Sequence, residues 1–401
     1  MFILGRPFIY FSIGICLLAF SSCNREGCTD PSATNFDDRA ETENGSCHYA
    51  VVAPPTYEFT DNEGNNTVNY TGQHQRLNML SEIMTYLHSA NTAGTALEIE
   101  TLLDMYANDS YVWDDSEELG MTGSTKNLAS KTAGGDPTIV AQFEQYFLKI
   151  GEASATTSVG ETNGNPGVSG LVQSTSNPTV QFLQSGEGQE WAQLIEKGLM
   201  GSCFYYNLSR VYLGAEKMNV DNAVAVDPAN GKFYTVMEHH WDEAYGYFTE
   251  ATDYPLHGTQ RFWGKEAFER ENLLQSATSI AHAFRLGRAA ISQGVMSIRD
   301  EQIDLIQQEM EWLVAGSAIH CLNEAVNHFD DDALRNHSLS EAKALILSLP
   351  YGADSSVDME SASDLVAQLG EDFYAVTLAD IGDLRDDLAA IAGLFDLRLE
   401  L

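Results

Sequence analysis

The residues of this chain best suited to do chemistry fall in one run, Glu238-His239-His240-Trp241-Asp242-Glu243-Ala244-Tyr245-Gly246-Tyr247-Phe248. On a helix, side chains three and four positions apart share a face, which sets His240 beside Glu243 and His239 beside Asp242 and Glu243. An imidazole and a carboxylate one turn apart can both reach one divalent ion. Glu-x-x-His pairs, here in reversed order, line carboxylate metal centres in helical bundles. The same run also suits a core, with an imidazole packed on Trp241 and the carboxylates solvated or facing local positive charge. Two further stretches repeat the pattern: His337 stands four residues before Glu341, and His320, Glu324 and His328 recur at four-residue spacing. Bundles build sites from side chains that project off facing helices. A joint site of His240, Glu243, His337 and Glu341 is geometrically plausible, and the leading candidate is a metal site on His240 and Glu243 with His239, Asp242, His337 and Glu341 as candidate supporters.

The familiar catalytic signatures are missing: there is no HExxH, GxSxG, phosphate loop, CxxCH or dinucleotide-binding glycine run. A binding role is favoured over catalysis. The enzymatic alternative is a metal-dependent hydrolase or peptidase with Glu243 as general base to a metal-bound water, and a structural or adhesive role is a third reading. The chain carries 21 Lys+Arg against 58 Asp+Glu, a formal charge of −37. Such a surface repels nucleic acid and anionic lipid headgroups. In so acidic a chain, Arg285, Arg288 and Arg335 are expected to be buried partners of carboxylates.

At the N-terminus Arg6 precedes an apolar run over residues 8–20, which closes on Ser21-Ser22-Cys23. The run is too short for a permanent membrane span and has the form of a secretory signal over residues 1–22. Cys23 is the expected lipidation site, tethering the protein to the cell envelope, at the outer membrane and facing either the periplasm or the surface. An exported chain meets an oxidising compartment. Cys28 and Cys47 bracket turn-rich sequence with Asp30-Pro31 and Asn44-Gly45, within a segment spanning 23–50. A Cys28–Cys47 bridge is expected, closing a loop of about 20 residues and contributing on the order of 3 kcal/mol. The segment resembles the small Cys-bounded modules that follow signal peptides in secreted bacterial proteins. A metal loop using Asp37 and Asp38 is the alternative there. Cys203 and Cys321, in apolar helical sequence, are expected to be free and buried.

These residues must be positioned by helices. Residues 51–68 read as a linker, marked by Pro54-Pro55 and the polar run from Asp61 to Asn66. Beyond it, apolar spacing predicts helices over 73–91, 97–107, 138–150, 190–213, 235–252, 265–291, 300–329, 338–349 and 376–399. Residues 151–181, rich in Gly, Ser, Thr, Asn and Pro, read as a long irregular excursion. No strand run stands out. The class is all-α, with two packed bundles.

The EHHWDEAYGYF box, the upstream TGQHQRLNMLSEIMTYL, the GLMGSCFYYNLSRVYL run and the later RNHSLSEAKALILSLPYG together resemble an imelysin-related family of bacterial lipoproteins. Within it the closest likeness is to members of unknown function with an HHWDEAFGYF-type box. The resemblance runs from about residue 69 to 352. Imelysin carries a GxHxxE motif on a helix of an all-helical double bundle, and His240-Trp241-Asp242-Glu243 supplies the HxxE portion, with Glu238 where the glycine would stand. The resemblance implies an imelysin-like double helical bundle over 69–401. It also implies an envelope protein of iron or metal acquisition that takes a divalent metal, iron or a haem-type ligand; a peptidase label accompanies the family.

Overall fold

The computed structural model describes residues 25–116, 118–256 and 261–401. The expected signal segment 1–22 and lipidation site Cys23 lie outside them. The chain forms two compact units, Met1–Val51 and Val52–Leu401.

In the first unit a short parallel pair, β1 (Glu26–Gly27) and β2 (Thr42–Glu43), is closed by the Cys28–Cys47 disulfide. The remaining order is local. Asp30 Oδ1 accepts the Ser32 amide, Asn44 Oδ1 accepts the Ser46 amide, and Glu43 Oε2 accepts the Thr29 amide. These bonds, with the crosslink, replace a hydrophobic core that so small a segment cannot build. Asp37 is occupied by Arg25 at 2.9 Å rather than turned toward Asp38.

The second unit is all-α in its framework. Its helices are α1 (Thr71–Ser89), α2 (Ile99–Ala107), α3 (Pro137–Ser154), α4 (Trp191–Leu199), α5 (Ala215–Met218), α6 (Val236–Phe248), α7 (Phe262–Glu269), α8 (Glu271–Leu274), α9 (Ser276–Gln293), α10 (Met296–Asn327), α11 (Asp332–Ile346), α12 (Met359–Ala367) and α13 (Leu378–Ile391). The periodic apolar residues predicted for α1, Leu77, Met79, Leu80, Ile83, Met84 and Leu87, are all buried. Helix α10, 32 residues and about 48 Å long, packs against α9, α11 and α13. Helix α4 lies between α3, α11 and α1, and α6 packs on α1 and α9. From α4 the chain continues with π winding through Met200–Tyr205 and Asn207–Tyr212. This segment is interior on most of its faces, with Cys203, Phe204, Tyr205 and Leu208 fully buried.

Three expectations about elements are corrected. The 265–291 helix is broken into α7, α8 and α9: Arg270 leaves helical geometry (φ −104°, ψ 9°) between α7 and α8, and Gln275 adopts a left-handed conformation (φ 58°) between α8 and α9. The 151–181 excursion holds a strand: β3 (Gly170–Gln173) pairs antiparallel with β4 (Gln181–Gln184), burying Leu171 opposite Leu183. A second hairpin, β5 (Ala225–Asp227) with β6 (Lys232–Thr235), leads into α6. Strands of three or four residues offer too few alternations to be seen as a period-2 pattern. Residues 52–68 belong to the helical unit: Tyr57 is fully buried and stacks on Tyr245 with ring centroids 3.7 Å apart.

Candidate functional site

Helix α6 begins with a capping box. Thr235 Oγ1 accepts the Glu238 amide and Glu238 Oε2 accepts the Thr235 amide, satisfying two of the free donors of the first turn. The winding then divides the box between two environments. Glu238, Trp241, Asp242 and Tyr245 face inward, while His239, His240 and Glu243 lie half-buried.

The inward set grips one arginine. Arg288 of α9 is fully buried, and each of its five N–H donors has an acceptor. Nε donates to Asp242 Oδ1 (2.9 Å), and Nη1 donates to Glu238 Oε1 (2.6 Å) and Ser292 Oγ (2.6 Å). Nη2 donates to the carbonyl and the hydroxyl of Thr67 (3.0 and 3.2 Å). The guanidinium also lies 4.9 Å above the Phe59 ring. Asp242 is completed by the Tyr57 hydroxyl (2.9 Å) and the Asn69 amide (3.0 Å). Burial pushes the Asp242 carboxyl up to about 6, against the pull of Arg288. Trp241 donates to the Phe284 carbonyl (2.9 Å), and its ring fills the space above Gly287, where a Cβ would fall 2.2 Å from Cζ2. Asp242, a candidate supporting metal ligand, is thus committed to Arg288: its lone pairs are spent on three donors in a buried ion pair.

The half-buried set is arranged differently. His239 stacks on Tyr234 (4.6 Å, 18°), and its Nδ1 lies 2.9 Å from the Asn69 carbonyl oxygen. His240 Nδ1 lies 3.0 Å from the Lys217 carbonyl oxygen. A carbonyl can only accept, so each imidazole carries a proton on Nδ1, which leaves Nε2 as the nitrogen turned to a ligand. Burial lowers the His239 pKa, outweighing the attraction of Glu243. Glu243 Oε1 accepts from Gln73 (3.0 Å), and its carboxylate also meets the Tyr212 hydroxyl, which Lys131 Nζ approaches at 3.3 Å.

His337 and Glu341 belong to a separate interior cluster. His337 Nδ1 lies 2.7 Å from Glu190 Oε2, its Nε2 3.7 Å from Glu341 Oε2, and its ring stacks on Phe182 at 4.4 Å. Lys197 Nζ bridges Glu266 (2.6 Å) and Glu341 (3.4 Å), and Arg270 pairs with Glu266 at 3.1 Å. Three carboxylates from α7, α11 and the residue preceding α4 are thus balanced by a lysine, an arginine and an imidazolium. Burial works against charge on His337, but Glu190 and then Glu341 overcome it and raise its pKa to about 9. Burial likewise opposes ionisation of Glu266, and Lys197 with Arg270 holds it at about 2. In this arrangement His337 and Glu341 serve as ion-pair partners of Glu190 and Lys197.

Among the described residues, the only group of three or more His, Cys, Asp or Glu whose ligand atoms lie within 4.8 Å of one another is Cys28, Glu43 and Cys47, and its sulfurs form the disulfide. The His240/Glu243 and His337/Glu341 pairs therefore do not converge on one point. His320 Nδ1 contacts the Leu401 carbonyl oxygen, and His328 pairs loosely with Glu324 at 3.6 Å. Of the three arginines, Arg288 and Arg335 meet carboxylates, whereas Arg285 donates to the Tyr254 carbonyl. The interior cluster had a signal in the sequence. Glu190, Gln193 and Lys197 place buried polar groups at i, i+3 and i+7, on one side of α4 and its N-cap.

Fold and site together define an all-helical protein in which a His- and carboxylate-rich helix is pinned to its neighbour by a buried arginine. The chain belongs to the family described as Domain of unknown function (DUF4856), whose model matches residues 54–382. No curated protein and no solved structure matches it.

Proposed function

We propose that this chain is an exported lipoprotein, anchored through Cys23 in the cell envelope, that binds a metal ion or metal-bearing ligand without catalysing a reaction on it. The helical unit is read as imelysin-like, and metal or iron acquisition as its setting. The observation that carries the proposal is the paired hydrogen bonding of His239 and His240 to main-chain carbonyls. Metal-binding histidines characteristically donate their second ring N–H in this way, which fixes the tautomer and the ring orientation. With Glu243 on the same half-buried face, the donor set suits a borderline divalent ion such as zinc or ferrous iron. The three side chains do not close a coordination shell by themselves, which fits a site completed by donors of the ligand. The Asp242–Arg288 pair fixes the helix from behind, so α6 presents these groups from a rigid support.

The test is elemental analysis and calorimetric metal titration of the parent beside a His240→Ala/Glu243→Ala double variant. Near-stoichiometric uptake by the parent, lost in a variant with an unchanged circular dichroism spectrum, is the expected result. No uptake of zinc, iron, manganese, copper or calcium by the parent would overturn the reading.

A further inference from the structure

A cleft of about 1060 Å³ opens where α3, the start of α4 and the loops flanking the β3–β4 hairpin meet. It shares no residue with the α6 site. Its walls are built. Ser185 Oγ accepts the amides of Glu187 and Gln189 (both 3.1 Å), folding the loop after β4 into a tight turn. The Gly167 amide donates to the Gly186 carbonyl (2.7 Å), an approach so close that a Cβ on Gly186 would fall 2.9 Å from the Gly167 carbonyl carbon. The Phe373 amide donates to the Glu187 carbonyl (2.8 Å), and Gln189 is held at both ends of its amide, by the Glu371 carbonyl and by Lys343 Nζ. A cleft whose loops are fixed in this way does not have to order them on binding.

Trp191 supplies the independent sign of a ligand. Its side chain is 7% exposed and lines this cleft, and no hydrogen bond from its indole N–H to a described residue is seen. The other tryptophan N–H donors for which a bond is seen, those of Trp113, Trp241 and Trp263, each find a protein oxygen at 2.7–2.9 Å. An indole N–H on the wall of a cleft, with no bond to the protein seen, is a donor that an incoming oxygen can take up.

We propose that this cleft binds a neutral, hydroxyl-rich ligand, an oligosaccharide segment. Its lining mixes acceptors (Glu152, Glu187, Glu371) with donors (Trp191, Lys149). A hydroxyl donates and accepts at once and satisfies both kinds. An anion would meet three carboxylates, and a cation would leave the indole N–H facing a group that cannot accept. The half-buried Tyr146 ring offers an apolar face for the C–H side of a sugar ring. The volume lies at the upper end of small-ligand sites, about 1,000 Å³, and suits several linked sugars rather than one.

The experiment is calorimetric titration of the full-length protein, in a detergent without a sugar headgroup, with neutral gluco-, xylo-, manno- and galacto-hexasaccharides. Saturable binding of at least one is expected. Trp191→Phe keeps most of the ring volume, removes the N–H, and should weaken that binding about tenfold, the effect of one lost hydrogen bond. Tyr146→Ala, at a half-exposed position, carries the same test if Trp191→Phe does not fold. No binding by any hexasaccharide, binding unchanged in both variants, or binding of hexalysine in preference to every sugar would each overturn the proposal.

Discussion

His337 should make the stability of the helical unit depend on pH in a way that can be worked out from its two carboxylate neighbours. Its pKa stands at about 9 against an ordinary 6.5, because the folded protein holds the imidazolium between Glu190 and Glu341. At about 1.4 kcal/mol for each pKa unit, this displacement is worth about 3 kcal/mol. The folded state binds the proton more tightly than the unfolded chain does. The contribution is therefore complete below pH 6.5 and is lost as the pH rises through about 9. Urea unfolding followed by circular dichroism, at pH 6 to 10 in unit steps, should be run on the parent and on His337→Gln. The substitution leaves Glu190 buried without its cation, so the variant is less stable at low pH. The stability gap should then narrow by about 3 kcal/mol by pH 10. A gap constant across this range would mean that His337 is neutral in the folded protein. A gap that widens would reverse the assignment, since that is the behaviour of a histidine buried without its proton.

Arg288→Met should cost about 3–5 kcal/mol of unfolding free energy, because Asp242 and Glu238 remain buried without their cation; a loss below about 1 kcal/mol in denaturant titration would contradict the network. Gly287→Ala places a methyl against Trp241 and should cost about 1–3 kcal/mol, seen as a lowered thermal midpoint, with an unchanged midpoint refuting the close fit. Cys203 is buried and its thiol is pushed up to about 12 by burial, so a maleimide should label it only in denaturant. Rapid labelling of the native protein at Cys203, located by peptide mapping, would show that the core around it opens.

Most of the helical framework was legible because apolar spacing reports burial directly. The α1 stripe from Leu77 to Leu87 and the bounds of α3 and α10 follow from it within a few residues. The break at Gln275 was not, since a left-handed residue other than glycine leaves no mark in the pattern. The site was legible by residue type and not by role. Sequence spacing put His239, His240, Asp242 and Glu243 on one helix but could not say that Asp242 turns toward Arg288, 46 residues away, while the imidazoles turn toward Asn69 and Lys217. Nor could it show that the proline-marked stretch before α1 would supply Tyr57, Thr67 and Asn69 to that network. Partners brought together by tertiary packing have no local signature, and a hydroxyl or a main-chain carbonyl looks the same in sequence whether it meets water or a guanidinium.

The π winding between α4 and Tyr212 carries a genetic consequence. Each residue of an α-helix turns the chain by about 100°, and π turns arise where extra residues are absorbed without lengthening the helix in proportion. Deleting one residue from 200–212 would let this stretch relax toward α winding, but it would rotate every later side chain of the segment by about a quarter turn. Tyr212 would swing away from Glu243 and Asn207 from the Lys131 carbonyl. Single-residue deletions should therefore be tolerated far less well here than in the loop between α2 and α3, although the deletion would make the helix itself more regular.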